Sequence, residues 1–418
     1  MIALPAPPAR TMNPLADRLL ATGAELALVP AFVFTALNSA GSLSFLATQP
    51  IKIASIALGL AAAVIVLVKG RAAPRFPIFV GLVALLVLAF VLTSMIRDIP
   101  QSRFLLLGQY IALVGASVVW MSVRPARLIS VLYTASLIHL VLARVFPTAE
   151  QWSDGLTRLS GGSHPITLGF EACAVALTTI VAMFGPISVR RRILLGVVAV
   201  YAIYILVEAF SRQSLIAMAI ALVVLAVALP GAFRWVRAFI ALGIAGGVFG
   251  LLGGDGIASL LGANELADLS TATGRTDIWA RVLPLFPDFA GLGYGYAALN
   301  DAHGPDLRIY FASGGETAEN AILQILLDVG VAGALVWAAM LLVGIGILFR
   351  ARAESLVLTL SMVPVFLSSL LVASSLGDGG MQWWWFLALV AEAGAAAAPR
   401  RRRAQRTAVV QHPEPVPA

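Results

Sequence analysis

Three arginines and one glutamate are placed where they could do chemistry. Arg158 lies in TRLSGGSHPITLG (157–169), Arg212 in FSRQSL (210–215) and Arg275 in TGRTDIW (273–279), all between long apolar runs. A guanidinium is permanently charged and makes forked hydrogen bonds to phosphate oxygens, so three of them at one face suit a pyrophosphate. Glu319 opens the apolar stretch TAENAILQILLDVGVAG (317–333), and a carboxylate there can take a proton from a hydroxyl. Each residue also has a plainer use. Arginines at a membrane face snorkel or cap helix ends, and an acidic residue is favourable at any helix start.

Other residues gather around these four. GLGYGY (291–296) has glycines that would let backbone approach a phosphate or sugar while Tyr294 and Tyr296 stack on a ring. A turn returning a loop to the membrane explains the same glycines, and no βαβ context supports a dinucleotide site. Asn320 and His164, with Tyr294, are candidates for contacting an acceptor, although Asn320 could equally fix the loop. His139 reads as a packing residue. Glu171, Glu208 and Asp328 fall inside apolar runs and should face the bundle or a water-filled cavity. Glu208 precedes Arg212 by one helical turn, and Glu171 could pair with Arg144. The four His and the lone Cys173 form no metal-ligand pattern and no disulfide framework.

The elements that hold these residues follow from composition. The 418 residues are 60% hydrophobic and 12% charged, against roughly 25% charged in soluble domains, which makes this an integral membrane protein. Runs long enough to cross a bilayer as helices fall at about 24–46, 51–68, 76–96, 104–123, 126–146, 165–185, 193–210, 213–229, 236–253, 319–348, 355–375 and 382–398. The expected fold is therefore all-α, with about 12 transmembrane helices and a large periplasmic loop between spans 9 and 10. Residues 1–20 read as a disordered cytoplasmic N-terminus, 21–253 as spans 1–9, 254–318 as the loop, 319–398 as spans 10–12 and 399–418 as a basic, disordered tail. Within the loop, Ile278, Trp279, Val282, Leu283 and Phe286 give a short amphipathic helix a side suited to the bilayer surface, with Pro284 and Pro287 ending it. The Trp383–Trp385 run fits an interfacial aromatic belt.

Charge gives the orientation. Lys and Arg are retained in cytoplasmic loops, and with the N-terminus inside, every inside connection holds at least two, from Arg10 and Arg18 through Arg190–Arg192 to Arg400–Arg403. Only Lys52, Arg97, Arg103, Arg144, Arg158, Arg212, Arg275, Arg281 and Arg308 fall outside. Both termini are thus expected in the cytoplasm of a bacterial inner membrane, with the working face periplasmic. The net charge of +7 is dealt out loop by loop, which argues against nucleic acid and for membrane lipids as the partner of the basic tail.

FSRQSL, TGRTDIW with GLGYGY, and AENAILQILLDVGVAG, in this order, resemble the O-antigen ligase and polymerase family of bacterial membrane glycosyltransferases. TRLSGGSHPITLG resembles that family's segment ahead of a middle span. The resemblance runs from about 157 to 345, and the earlier spans match in number and hydropathy only. It implies a glycan donor carried on undecaprenyl pyrophosphate, held by Arg158, Arg212 and Arg275, with no metal or other cofactor. The acceptor would be another lipid-linked glycan for a polymerase or lipid A–core for a ligase, within an envelope polysaccharide assembly complex. One position departs from the pattern: many ligases read His-Asn where this chain has Glu319-Asn320. Glu319 would replace that His as the catalytic group beside Arg275, which tilts the reading toward polymerase. The rivals from other classes are a transporter or flippase for a lipid-linked or anionic solute, and a non-catalytic scaffold. No internal repeat supports the first.

Overall fold

The computed structural model describes residues 28–33, parts of 53–64, then 77–99, 101–123, 125–147, 149–151, 157–159, 165–209, 211–228, 279–280, 282–296, 320–350, 353–372 and 381–397. Its long helices are α1 (Pro77–Ile96), α2 (Gln101–Val123), α3 (Pro125–Val145), α4 (Pro165–Met183), α5 (Val189–Glu208), α6 (Arg212–Ala228), α8 (Ala321–Leu348), α9 (Ala353–Val372) and α10 (Met381–Ala397). A 3-10 turn, Leu283–Leu285, runs into the one-turn α7, Phe286–Phe289. Helices α1, α3 and α4 start on proline, whose missing N–H costs nothing in a first turn. Nine of the twelve expected spans coincide with these long helices. The segments 24–46, 51–68 and 236–253 lie wholly or mostly outside the described residues.

Among the described residues, five helical stretches are long and apolar enough to cross a membrane: Pro77–Ile96, Arg103–Trp120, Arg127–Val145, Pro165–Met183 and Ala321–Leu348. The architecture is helical with one addition. Strands β1 (Ala149–Gln151) and β2 (Thr157–Leu159) pair antiparallel, with Glu150 opposite Arg158. The ribbon occupies the connection between α3 and α4, where the chain reverses between two spans.

Helix α10 forms the centre. Apart from Gln382 and Glu392 its sequence is apolar, as suits a helix inside a bundle or a membrane. It touches α2, α3, α4, α8 and α9. Trp383, Trp384 and Trp385 are all buried there, and the Trp385 indole N–H donates to Ser136 Oγ of α3 at 3.2 Å. The tryptophan run is therefore core, and the expected interfacial belt does not form: five helices close around the positions that would have met headgroups.

Of the three carboxylates expected inside apolar runs, two face the bundle and one does not. Glu171 and His139 are fully buried, with Glu171 Oε2 3.0 Å from His139 Nδ1. That contact joins α3 to α4 and takes the place of the expected partner Arg144. Asp328 is also fully buried, accepting from Gln324 Nε2 at 2.9 Å. Glu208, by contrast, is exposed. As the last residue of α5 it reaches the rim of the bundle and needs no cavity.

Candidate active face at one end of the bundle

Short turns join α1 to α2, α2 to α3, α4 to α5 and α8 to α9, so these neighbours run antiparallel. The end of α1, the ribbon, the starts of α4 and α6, and the start of α8 thereby gather at one end. Two junctions organise that end.

The first is a clasp between the GLGYGY segment and α8. Gly330 breaks α8 with φ 68 and ψ −172, a conformation open to glycine and strained for other residues. The break releases main-chain groups that a continuous helix would pair internally. The loop supplies their partners: Tyr294 N donates to Leu327 O at 2.6 Å, Gly295 N to Asp328 O at 3.0 Å, and Val331 N donates to Ala290 O at 2.9 Å. Gly293, at φ +65, lies so close that a Cβ there would sit 2.5 Å from the Asp328 carbonyl carbon. The motif's tight glycines thus serve helix docking. Two amide N–H groups that could have faced a phosphate, those of Tyr294 and Gly295, are committed to α8.

Side chains extend the clasp on both flanks. Val282 and Phe289 bury against Leu323 and Leu327 of α8, while Leu283 and Phe286 of the same stretch stay exposed. Its two prolines sit inside the turn and at the first residues of α7, where they start structure instead of ending it. Tyr296 N donates to Ser94 Oγ of α1 at 3.0 Å, and its buried ring meets Phe90 and Tyr110 at centroid distances of 5.4 and 5.8 Å. Tyr110 in turn contacts Trp384 of the central helix. Tyr296 is accordingly a packing residue. Tyr294 is half-buried, with the Arg97 guanidinium 5.6 Å from its ring centroid. Burial pushes its phenol above the usual value, Asp288 adds to that, and Arg97 works against it.

The second junction joins α4 to α6. Ser211 stands just before α6, and its Oγ lies 2.9 Å from Ser214 Oγ and accepts from Ser214 N at 3.4 Å, the pattern of an N-cap. A Cβ on Gly169 would fall 2.7 Å from Ser214 Oγ and 3.1 Å from Ser211 Cβ. One turn on, Cys173 Sγ donates to Ser214 O at 3.4 Å. TLG of the 157–169 motif and SRQS of the 210–215 motif, distant in sequence, are thus in direct contact.

The candidate residues fall around these junctions as follows. Arg212 is the first residue of α6 and Arg158 the middle residue of β2, each described in its backbone alone. Asn320 is the N-cap of α8: its extended backbone lets Oδ1 accept from Ile322 N at 2.9 Å and Leu323 N at 3.1 Å. The loop-fixing use of Asn320 is therefore present. Glu319, Arg275 and His164 lie outside the described residues. Among the described residues no group of three or more His, Cys, Asp or Glu could hold a metal ion.

Three contributors carry no sequence signal of their own. Ser94 and Arg97 end α1 within an ordinary polar turn, where Asp98 takes φ 50. Gly330 hides in an apolar run where helical glycines are commonplace. In the sequence, LLDVGVAG and GLGYGY were linked only as segments of the same family resemblance.

Comparison with known families matches residues 197–338 to the model described as O-antigen ligase. The match begins within α5, takes in α6 and the GLGYGY segment, and ends inside α8. It therefore spans Arg212, Arg275, Tyr294, Glu319 and Asn320, while Arg97, Arg158 and His164 precede it. Comparison with curated proteins gives no match.

Proposed function

We propose, from the premise that residues 197–338 are an O-antigen ligase segment of a multi-pass membrane protein, that this chain moves a glycan from undecaprenyl pyrophosphate to an acceptor glycan in cell-surface polysaccharide synthesis. The observation that carries the reading is the convergence at one end of the bundle. There the loop end and the start of α8, both inside the matched segment, lock together, and α6 begins with Arg212 at that same end. Taken as periplasmic, this end meets a lipid-linked donor at headgroup depth.

In this mechanism Arg158, Arg212 and Arg275 bind the pyrophosphate oxygens and stabilise the charge that builds as the anomeric C–O bond breaks. Glu319 takes the proton of the acceptor hydroxyl, whose oxygen forms the new bond to the anomeric carbon. Undecaprenyl pyrophosphate leaves on the opposite side, so configuration at that carbon inverts. Asn320 fixes the start of α8 next to Glu319, and Tyr294 and His164 flank the acceptor. The polymerase, which passes the chain to another lipid-linked unit, is favoured over the ligase because Glu319 stands where many ligases have His. Membrane lipids hold the protein at this depth, and an envelope assembly complex supplies donor and acceptor.

Mass spectrometry of undecaprenyl-linked glycans from cells with and without the gene tests the proposal. Single repeat units accumulating in the deletion mean a polymerase. Long lipid-linked chains with an unfilled acceptor mean a ligase. An unchanged lipid-linked pool refutes glycan transfer.

A further inference from the structure

Resting on the glycan-transfer reading, we propose that Arg97 is a positioning residue: it holds the returning loop against the start of α8 and so sets the geometry of transfer. Arg97 is the first residue beyond α1, outside the segment matched to the family. Its Nε donates to Gly293 O at 2.7 Å and its Nη2 to Asp288 O at 3.3 Å, and its cation stands over the Tyr294 ring. One guanidinium therefore grips the loop on both sides of the turn between α7 and GLGYGY. Charge alone would have made it one more candidate for the donor phosphates, since it belongs to the outward-facing basic minority. Two of its five N–H donors are already given to main-chain carbonyls of the loop, which ties it to the segment itself.

The grip matters because of what lies beyond it. The carbonyl taken by Nε is that of Gly293, and the next two residues donate to Leu327 and Asp328. Releasing Gly293 would loosen those bonds and, through Val282 and Phe289, the first turns of α8 that begin at Asn320. Arg97 thus links the N-terminal half of the chain to the matched segment at the point where the loop is shaped. Lysine retains the charge but loses the planar fork that reaches two carbonyls at once.

The test uses the full chain in lipid nanodiscs as wild type, Arg97→Lys and Arg97→Gln. Hydrogen exchange is followed across 288–296, and transfer is measured with undecaprenyl-pyrophosphate-linked oligosaccharide extracted from cells lacking the gene. We expect Arg97→Gln to speed exchange at the Tyr294 and Gly295 amides by about tenfold or more, the scale of a lost charged hydrogen bond. Exchange in α4 should stay as in wild type, which separates a loosened clasp from general unfolding. We expect kcat to fall by a similar factor with donor KM within about twofold, and Arg97→Lys to fall between in both readouts. A raised donor KM with 288–296 still protected would make Arg97 a phosphate ligand and overturn the proposal. Faster exchange with unchanged transfer would overturn it as well. If the wild type itself transfers nothing, the glycan-transfer reading fails and the positioning role fails with it, while the exchange data still report whether Arg97 holds the segment.

Discussion

The side-chain oxygen of Asn320 accepts two main-chain N–H groups at the start of α8, and capping of this kind is worth about 0.5–2 kcal/mol. An acceptor role would use the amide N–H instead, so substitutions can separate the two. Asn320→Asp keeps the capping oxygen, and Asn320→Ala removes it. If the residue acts through the cap, Asp should preserve both thermal stability in detergent and transfer, while Ala lowers both. Loss of transfer in Asn320→Asp at unchanged melting temperature would assign it to the acceptor. The sequence left these uses open because an Asn before an apolar run is a good cap in any helix. The decision needed its φ of −157 and its two bond lengths, which no spacing encodes.

Between elements, close approach does the positioning. Gly169 lets α4 lie against Ser211 and Ser214, and α6, with Arg212 as its first residue, takes its place from that contact. Gly169→Ala would set its methyl 2.7 Å from Ser214 Oγ and 2.9 Å from Ser214 Cβ, an overpacking that costs roughly 1–3 kcal/mol. Transfer should fall in this variant, and Ser214→Gly in the same chain should restore part of it. Failure of the double variant to recover anything would mean that the contact is incidental. The His139–Glu171 contact makes a second case, since leaving one member of a buried hydrogen bond unsatisfied costs about 1–3 kcal/mol while replacing both with apolar groups of similar shape costs far less. Thermal denaturation should thus rank Glu171→Leu as the least stable and the double variant Glu171→Leu, His139→Leu as partly recovered. Helix positions were legible throughout this layer because apolar runs end at Arg, Pro and Gly. Which faces meet was not, since Gly169, Glu171 and His139 find their partners 30 to 45 residues away.

For the molecule as a whole, composition and the spread of Arg and Lys were sufficient to indicate a multi-pass helical bundle. They could not indicate its centre. A run of three tryptophans after GDGGMQ looks interfacial, yet α10 is enclosed by five other helices, and that enclosure belongs to the assembled bundle. Orientation can be checked directly. With Cys173→Ala as background, Asp288→Cys lies by the clasp and Ser188→Cys at the opposite end, before α5. A membrane-impermeant thiol reagent on intact bacterial cells, given access to the periplasm, should label position 288 and reach 188 only after the inner membrane is opened. The reverse pattern would turn the protein over and remove the periplasmic reading of the active face.

The break at Gly330 has a consequence for how such a chain is made. If the loop end were absent, Val331 N could return to Leu327 O and Ala332 N to Asp328 O, the ordinary partners one helical turn back. The same residues thus admit a straight span or a broken one, and an arriving tetrad, Gly291 to Tyr294 with Gly295 behind it, selects between them. Because that segment precedes α8 in the chain, it already exists when the choice is made. A molecule whose loop end failed to dock would carry an unbroken α8.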